Sequence, residues 1–354
     1  MRVLIVKTSS LGDVIHTLPA VTDAADAIPG IRFDWVVEES FAQIPSWHPA
    51  VDRILPVALR RWRRHPVGTL FGGEWRSFKK ALSQRRYDAI IDAQGLVKSA
   101  WLTRYALGPV HGLARDSARE PLASRFYRYR HRIAWEQHAI SRVRKLFSTA
   151  LSYPLAEAQL ETPDYGLDRA RLPAADVERP YLVFLHGTTW KTKHWPQVYW
   201  RALIDLATAA GWRVHLPWGS AQEYARAEQL AQGRKDVAVL PRLDLSGMAT
   251  QLAHASACVA VDTGLGHLAA AFDAPTVSLF GPTNPGFTGA WGRNQRHLSA
   301  RFACAPCLRK TCRYRPAAGE YFSMDEQPPC FTTLPPADVW RETETLLSQL
   351  KEQE

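Results

Sequence analysis

No stretch of this 354-residue chain comes near the roughly 20 consecutive apolar residues that a membrane-spanning helix requires, which excludes an integral helical membrane protein. The short apolar run at the N-terminus is interrupted by Asp13 and His16 and lacks the form of a secretory signal, so a cytoplasmic chain is expected. Cysteine is scarce: five residues are too few for a disulfide framework at this size, and a reducing compartment follows. No G-x-x-x-x-G-K-[ST] pattern occurs, which argues against a P-loop nucleotide hydrolase. What is present is the composition of a folded globular protein, 46% hydrophobic and 22% charged, which sets aside disordered, collagen-like and coiled-coil classes. The length exceeds what one hydrophobic core usually organises, so two domains are expected.

Charge is unevenly placed. The chain carries 44 Lys and Arg against 34 Asp and Glu, a net +10, and residues 53 to 145 alone hold 21 basic against 6 acidic side chains. Such a field attracts a polyanion, whether nucleic acid, anionic lipid headgroups or a phosphorylated sugar, and sign alone does not choose among them. The densest run is Arg60-Arg61-Trp62-Arg63-Arg64, where mutual repulsion calls for an anionic partner and guanidinium suits bidentate contact with carboxylate or phosphate. Further cations follow at Arg115, Arg119, Arg125, Arg128, Arg142 and Arg144. Interleaved Trp62, Trp75, Phe126, Tyr127 and Tyr129 are candidates for stacking on bases or sitting at a lipid interface, although most aromatics simply pack.

The apolar pattern suggests an open α/β sheet built twice. Val3 to Val6 reads as a buried parallel strand, followed by a Ser/Gly loop and helical spacing from Val14; further strands are expected at Phe33 to Val37, Ala89 to Ile91 and Val110 to Leu113. Residues 151 to 180, with Pro154, Pro163, Pro173 and Pro180, break the rhythm as an interdomain linker does. A second unit restarts with Tyr181 to Leu185, and later strands are expected at Arg213 to Leu216, Ala238 to Leu240, Cys258 to Val261 and Thr276 to Phe280. Two such units facing one another would gather their strand ends around a shared cleft, where these folds bind ligands.

Three strand-to-helix loops carry the candidate chemistry. In Lys7 to His16, small residues admit a ligand to the backbone and Asp13 sits at a helix start, where it is either a base or a carboxylate interacting with the helix dipole. In His186 to Pro196, Thr188, Thr189 and Lys193 offer two hydroxyls and a point cation suited to a diphosphate; the alternative is helix capping and a solvated lysine. In Val259 to His267, Gly264-x-Gly266-x-x-Ala269 satisfies a dinucleotide fingerprint, but the next strand leads into Phe280-Gly281-Pro282-Thr283 rather than ending in the acidic residue an NAD site needs. The turn therefore reads as a phosphate-binding helix start flanked by Asp262 and His267. Cys304-x2-Cys307-x4-Cys312 with Cys330 has the thiolate count of a structural metal site, but its spacing departs from paired C-x2-C knuckles, and a metal is not expected.

At these motifs the chain resembles the ADP-heptose lipopolysaccharide heptosyltransferases. The likeness is carried by Val3 to Leu18 (VLIVKTSSLGDVIHTL), Phe33 to Glu39 (FDWVVEE), Pro56 to Arg64 (PVALRRWRR), Asp92 to Ser99 (DAQGLVKS), Lys193 to Pro196 (KHWP) and Val261 to Pro285 (VDTGLGHLAAAFDAPTVSLFGPTNP). The resemblance implies the GT-B fold, two Rossmann-like αβα domains facing a central cleft. These are an acceptor-binding domain at 1–165, a linker at 166–180, an ADP-heptose-binding domain at 181–335, and a C-terminal helix at 336–354 packing back towards the first domain.

It implies inverting transfer of L-glycero-D-manno-heptose from ADP-heptose to the first Kdo of Kdo2-lipid A in the lipopolysaccharide inner core. Asp13 then matches the general base, Thr188, Thr189 and Lys193 the donor phosphate contacts, and Glu223 the ribose contact. Leu243 matches the adenosine pocket, and Asp262, Thr263, Gly264 and His267 the heptose-diphosphate site. Arg60, Arg61, Arg63, Arg64, Arg119 and Arg142 are expected to hold acceptor carboxylates and phosphates. Two departures stand out: Leu243 replaces a methionine familiar from enteric relatives, a swap that keeps the apolar contact, and the cysteine-rich tail differs. The resemblance further implies a monomer, peripheral on the cytoplasmic face of the inner membrane, that requires no cofactor and binds no nucleic acid. Competing readings are a transferase acting on an already heptosylated core, a basic nucleic-acid-binding protein, and an NAD-dependent oxidoreductase.

Overall fold

The computed structural model describes residues 1–64, 72–173, 179–316 and 321–352. Contacts divide the chain into two units, Met1–Leu167 and Asp168–Glu354, a division that falls inside the expected linker. In the first unit β1 (Arg2–Val6), β2 (Arg32–Glu38), β3 (Val51–Val57), β4 (Ala89–Asp92), β5 (Val110–Leu113) and β6 (Tyr129–His131) form one sheet. The second unit repeats the plan with β7 (Tyr181–Leu185), β8 (Arg213–Leu216), β9 (Val237–Val239), β10 (Ala257–Val261), β11 (Thr276–Phe280) and β12 (Gln295–Ser299). Each sheet is parallel, and the strand orders are β3-β2-β1-β4-β5-β6 and β12-β11-β10-β7-β8-β9. Both are the doubly wound order, which reverses between the first and fourth strand of each unit. Four loops consequently meet at two switch points, those after β1 and β4 and those after β7 and β10.

Burial explains why these segments are strands. β7, β10 and β11 are buried at every residue, as central parallel strands covered on both faces must be. β3, β6 and β12, which the apolar pattern does not announce, lie at sheet edges: Asp52, Arg53 and Pro56 interrupt β3, and β12 reads QRHLS. Charged and proline-bearing edges of this kind also discourage pairing with another chain.

The first core joins Leu4, Val6, Leu55, Phe78 and Ile90 to an aromatic group in which Trp75 stacks on Trp101, with ring centres 5.1 Å apart. Trp62 and Trp75 belong to this packing, and Tyr127 to a small separate cluster with Ala100 and Ala123, rather than to a stacking surface for bases. The helix Pro336–Lys351 packs on the helix Gln197–Ala209 and on β10 and β11, and Val339, Trp340, Leu346 and Leu347 enter the second unit's core. Its apolar face is therefore used inside the unit it belongs to.

Candidate active site

At the first switch point the loop after β1 leads into the helix Leu11–Ile15, and Asp13 is the third residue of that helix. Its Oδ2 accepts hydrogen bonds from the Ser10 backbone N–H and the Ser10 hydroxyl, both at 2.8 Å. Oδ1 has no hydrogen-bond partner among the described residues. The two readings of Asp13 thus coexist: one oxygen closes the helix start and the other is left for chemistry. Burial pushes the carboxyl upward, but Lys7, the Ser10 donors and Arg119 outweigh it and hold Asp13 below the usual aspartate value. Lys7 is 7% exposed, and its ammonium donates to the Ala93 carbonyl at 2.9 Å, at the end of the neighbouring strand β4. Burial lowers the Lys7 pKa, while Asp13 and Asp92 oppose that shift.

The arginines expected to hold an acceptor divide by what they touch. Arg60 is exposed, its guanidinium 5.4 Å from the Phe41 ring centre, and Arg63 and Arg64 are exposed with no ion pair among the described residues. Arg119 is exposed. Arg142 is half-buried and oriented: it donates to the carbonyls of Ser117 at 2.7 Å and Ala134 at 3.2 Å and lies 3.7 Å from the Trp135 ring centre. Arg61 departs from expectation, since its guanidinium is paired with Glu39 at 3.0 Å and Glu74 at 2.9 Å. These bonds raise its pKa and compensate its charge inside the protein. Arg144 departs too, being buried and paired with Asp23 at 2.6 Å as a structural ion pair.

At the second switch point the donors and acceptors interlock. Lys193 Nζ lies 2.7 Å from Asp262 Oδ2, and the Thr283 hydroxyl donates to the same oxygen at 2.6 Å. The Thr188 hydroxyl donates to the Asp262 carbonyl at 3.1 Å, tying the loop after β7 to the loop after β10. Thr189 is exposed, and Thr263 is the N-cap of the helix Gly264–Ala271, whose first N–H groups face the same strand ends. His267 is buried in that helix. Glu223 accepts from the Gly219 N–H at 2.8 Å and lies over Gly187, where an added Cβ would come within 2.5 Å of Oε1. Leu243 is half-buried beside Gly247, next to the start of the helix Leu245–Ala253.

Sequence reasoning assigned no role to Thr283, although the block containing it was noted. Nor did it find Arg226, which donates to the His186 carbonyl at 3.2 Å and contacts His194 Nδ1 at 2.7 Å, both in the segment after β7. Cys330 is buried against Gly281, Cys304 and Cys312 are exposed, and Cys307 is half-buried. Among the described residues no group of three or more His, Cys, Asp or Glu is placed to hold a metal ion.

What this arrangement can do is hold a diphosphate at a lysine, two threonines and a helix start in one unit, and present an ionised carboxylate among cations in the other. Residues 75–318 match the model of glycosyltransferase family 9 (heptosyltransferase). The chain is 64% identical over 351 residues to lipopolysaccharide heptosyltransferase 1 of Pseudomonas aeruginosa, covering 98% of each chain. It superposes on the solved structure of E. coli heptosyltransferase WaaC with ADP-2-deoxy-2-fluoro heptose with a TM-score of 0.82 and 46% identity, covering 98% of this chain and 99% of that one. By contrast, lipopolysaccharide heptosyltransferase 2 of Escherichia coli K12 is 27% identical over 307 residues, 81% of this chain and 85% of that one.

Proposed function

Because the chain belongs to glycosyltransferase family 9, the heptosyltransferases, we propose that it moves L-glycero-D-manno-heptose from ADP-heptose to the first Kdo of Kdo2-lipid A. What carries this reading is the 64% identity to a heptosyltransferase 1 over nearly the whole of both chains, against 27% to a heptosyltransferase 2. The fold is GT-B, and on this reading the reaction is a single displacement, which inverts the anomeric carbon.

In this mechanism Asp13 Oδ1 takes the proton from the acceptor hydroxyl as that oxygen attacks. The depressed pKa keeps the carboxylate ionised and ready to accept the proton. As the bond to ADP breaks, negative charge grows on the diphosphate, which Lys193, Thr188, Thr189 and the helix start at Thr263-Gly264 stabilise more than they stabilise the ground state. Lys193 is held for this task by Asp262, and Thr283 holds Asp262 in turn. Glu223 takes the ribose hydroxyls and Leu243 lines the adenosine pocket. His267 lies at the heptose-diphosphate site. Arg60, Arg63, Arg64, Arg119 and Arg142 hold the carboxylates and phosphates of the acceptor. The scheme calls for no cofactor, since Lys193 supplies the cation at the leaving group.

The basic surplus of residues 53 to 145 supports a peripheral position on the anionic cytoplasmic face of the inner membrane, which is where a lipid A acceptor is presented. No helix among the described residues is long and apolar enough to cross a membrane. Binding to anionic vesicles that is lost in high salt is expected; equal binding to neutral vesicles would contradict the electrostatic attachment. The decisive test of function is incubation with ADP-heptose and Kdo2-lipid A followed by mass spectrometry. A gain of one heptosyl residue is expected, whereas transfer only to an already heptosylated core would assign the chain to the second step.

A further inference from the structure

The block Asp92 to Ser99 is given no chemical role by the mechanism above, yet it is tightly organised. Asp92, at the end of β4, is fully buried and accepts from the Gln94 N–H at 2.9 Å, the Ser99 hydroxyl at 2.9 Å and the Tyr127 hydroxyl at 2.8 Å. That anchor fixes a turn in which Gly95 adopts φ +67°, a backbone conformation that favours glycine, and an added Cβ would lie 3.3 Å from the Leu113 side chain. The turn aims the Gln94 side chain across the switch point. There its Oε1 accepts from both the N–H and the hydroxyl of Thr8, each at 2.7 Å. Its Nε2 donates to the Ser9 carbonyl at 3.1 Å.

Only a side-chain amide meets both demands. The Thr8 N–H can only donate and the Ser9 carbonyl can only accept, so the partner needs one acceptor and one donor on the same planar group. A glutamate would set a negative oxygen against the Ser9 carbonyl, and a leucine would leave three polar groups unpaired at a half-buried site. The residues so gripped immediately precede Ser10, whose N–H and hydroxyl both hold Asp13 Oδ2. We infer that Gln94 is a positioning residue for this transferase: by clamping Thr8 and Ser9 from the opposite side of the switch point, it fixes the loop that aims Asp13 at the acceptor hydroxyl. The inference rests on Asp13 being the base.

The test compares Gln94→Leu and Thr8→Val with Asp13→Asn in the full chain, using ADP-heptose and Kdo2-lipid A. Gln94→Leu is expected to lower kcat about 10- to 100-fold, the scale on which misplacing a reacting group acts, while the KM for ADP-heptose stays within about twofold. Amide exchange in peptides covering residues 7 to 13 should quicken. The acid limb of kcat should move to higher pH, because a loosened Ser10 no longer favours the ionised carboxylate. Thr8→Val preserves shape and removes one donor to the same oxygen, so a smaller fall of the same kind is expected; it also serves as the deciding variant if Gln94→Leu does not fold. Turnover within twofold of wild type in the folded variants, or lost turnover with unchanged exchange in that loop, would overturn the inference. An inactive Asp13→Asn beside a normal Gln94→Leu rejects the clamp alone, whereas an active Asp13→Asn rejects the base itself.

Discussion

Asp13 and Asp262 stand at the strand ends of two sheets with the same winding order, and they are treated in opposite ways. Asp262 Oδ2 is held between an ammonium at 2.7 Å and a hydroxyl at 2.6 Å. Asp13 receives two short bonds from Ser10 on one oxygen and forms no ion pair among the described residues; Lys7 and Arg119 reach it only through their field. Asp13 is thus held ionised by the field of Lys7 and Arg119 and by the Ser10 donors, whereas Asp262 is ion-paired with Lys193. The same topology therefore sets two carboxylates in different surroundings, and the neighbours decide which of them is ion-paired.

The contrast is most exposed to Asp13→Asn, which keeps an acceptor for Ser10 but cannot take a proton. It should lower kcat about 10²- to 10⁴-fold with donor KM little changed, read by steady-state kinetics. Near-normal turnover would leave Asp13 as a helix cap only. Next in size is Lys193→Met, expected to lower kcat about 10²-fold by removing the cation from the leaving diphosphate. Asp262→Asn should lose about tenfold, because the lysine remains but is no longer anchored, and the double variant should resemble Lys193→Met alone. Independent, multiplying losses would show that Asp262 has a task of its own.

A smaller effect is expected from Gly187→Ala, whose Cβ would fall 2.5 Å from Glu223 Oε1 and displace that carboxylate. The KM for ADP-heptose should rise about tenfold, the scale of losing a charged hydrogen bond, with kcat retained.

The least effect lies in pH dependence. Asp13, held below its ordinary value, stays ionised at pH 5, so kcat should be flat there. Stability should respond first. Burial above all lowers His48 in the first unit and His186 in the second from 6.5 to about 4. The unfolded chain then binds more protons than the folded one between those values, and stability falls as pH drops from about 6.5 to about 4. Denaturant midpoints measured across that window, beside kcat, would separate loss of fold from protonation of the base.

Much of this was legible from residue order. The apolar runs Val3 to Val6 and Tyr181 to Leu185 mark the central strands because central parallel strands have no polar face, and Asp13, Lys193 and Asp262 follow as residues of strand-end loops. The edge strands β3, β6 and β12 escape because part of their surface faces water and their pattern is diluted, as the polar run of β12 illustrates, whereas the apolar edge strand β9 is legible. Pairings across distance escaped for a different reason. The positive sign of Arg61 and Arg144 is visible in the sequence, but whether each awaits an anion or is already paired with Glu39, Glu74 or Asp23 depends on where the chain folds back. Gln94 is the extreme case, a neutral side chain whose meaning lies in a loop 86 residues away.

The helix Pro336–Lys351 supplies Val339, Trp340, Leu346 and Leu347 to the core that also contains Trp195 and Trp200. The two halves of the molecule consequently mature on different schedules during translation. The first has all six of its strands once His131 has left the ribosome, whereas the second waits, with one wall of its interior missing, until ribosomes have passed Leu347. A nonsense codon ahead of Val339 would leave an intact amino-terminal half joined to a partner that presents bare tryptophans to chaperones and proteases.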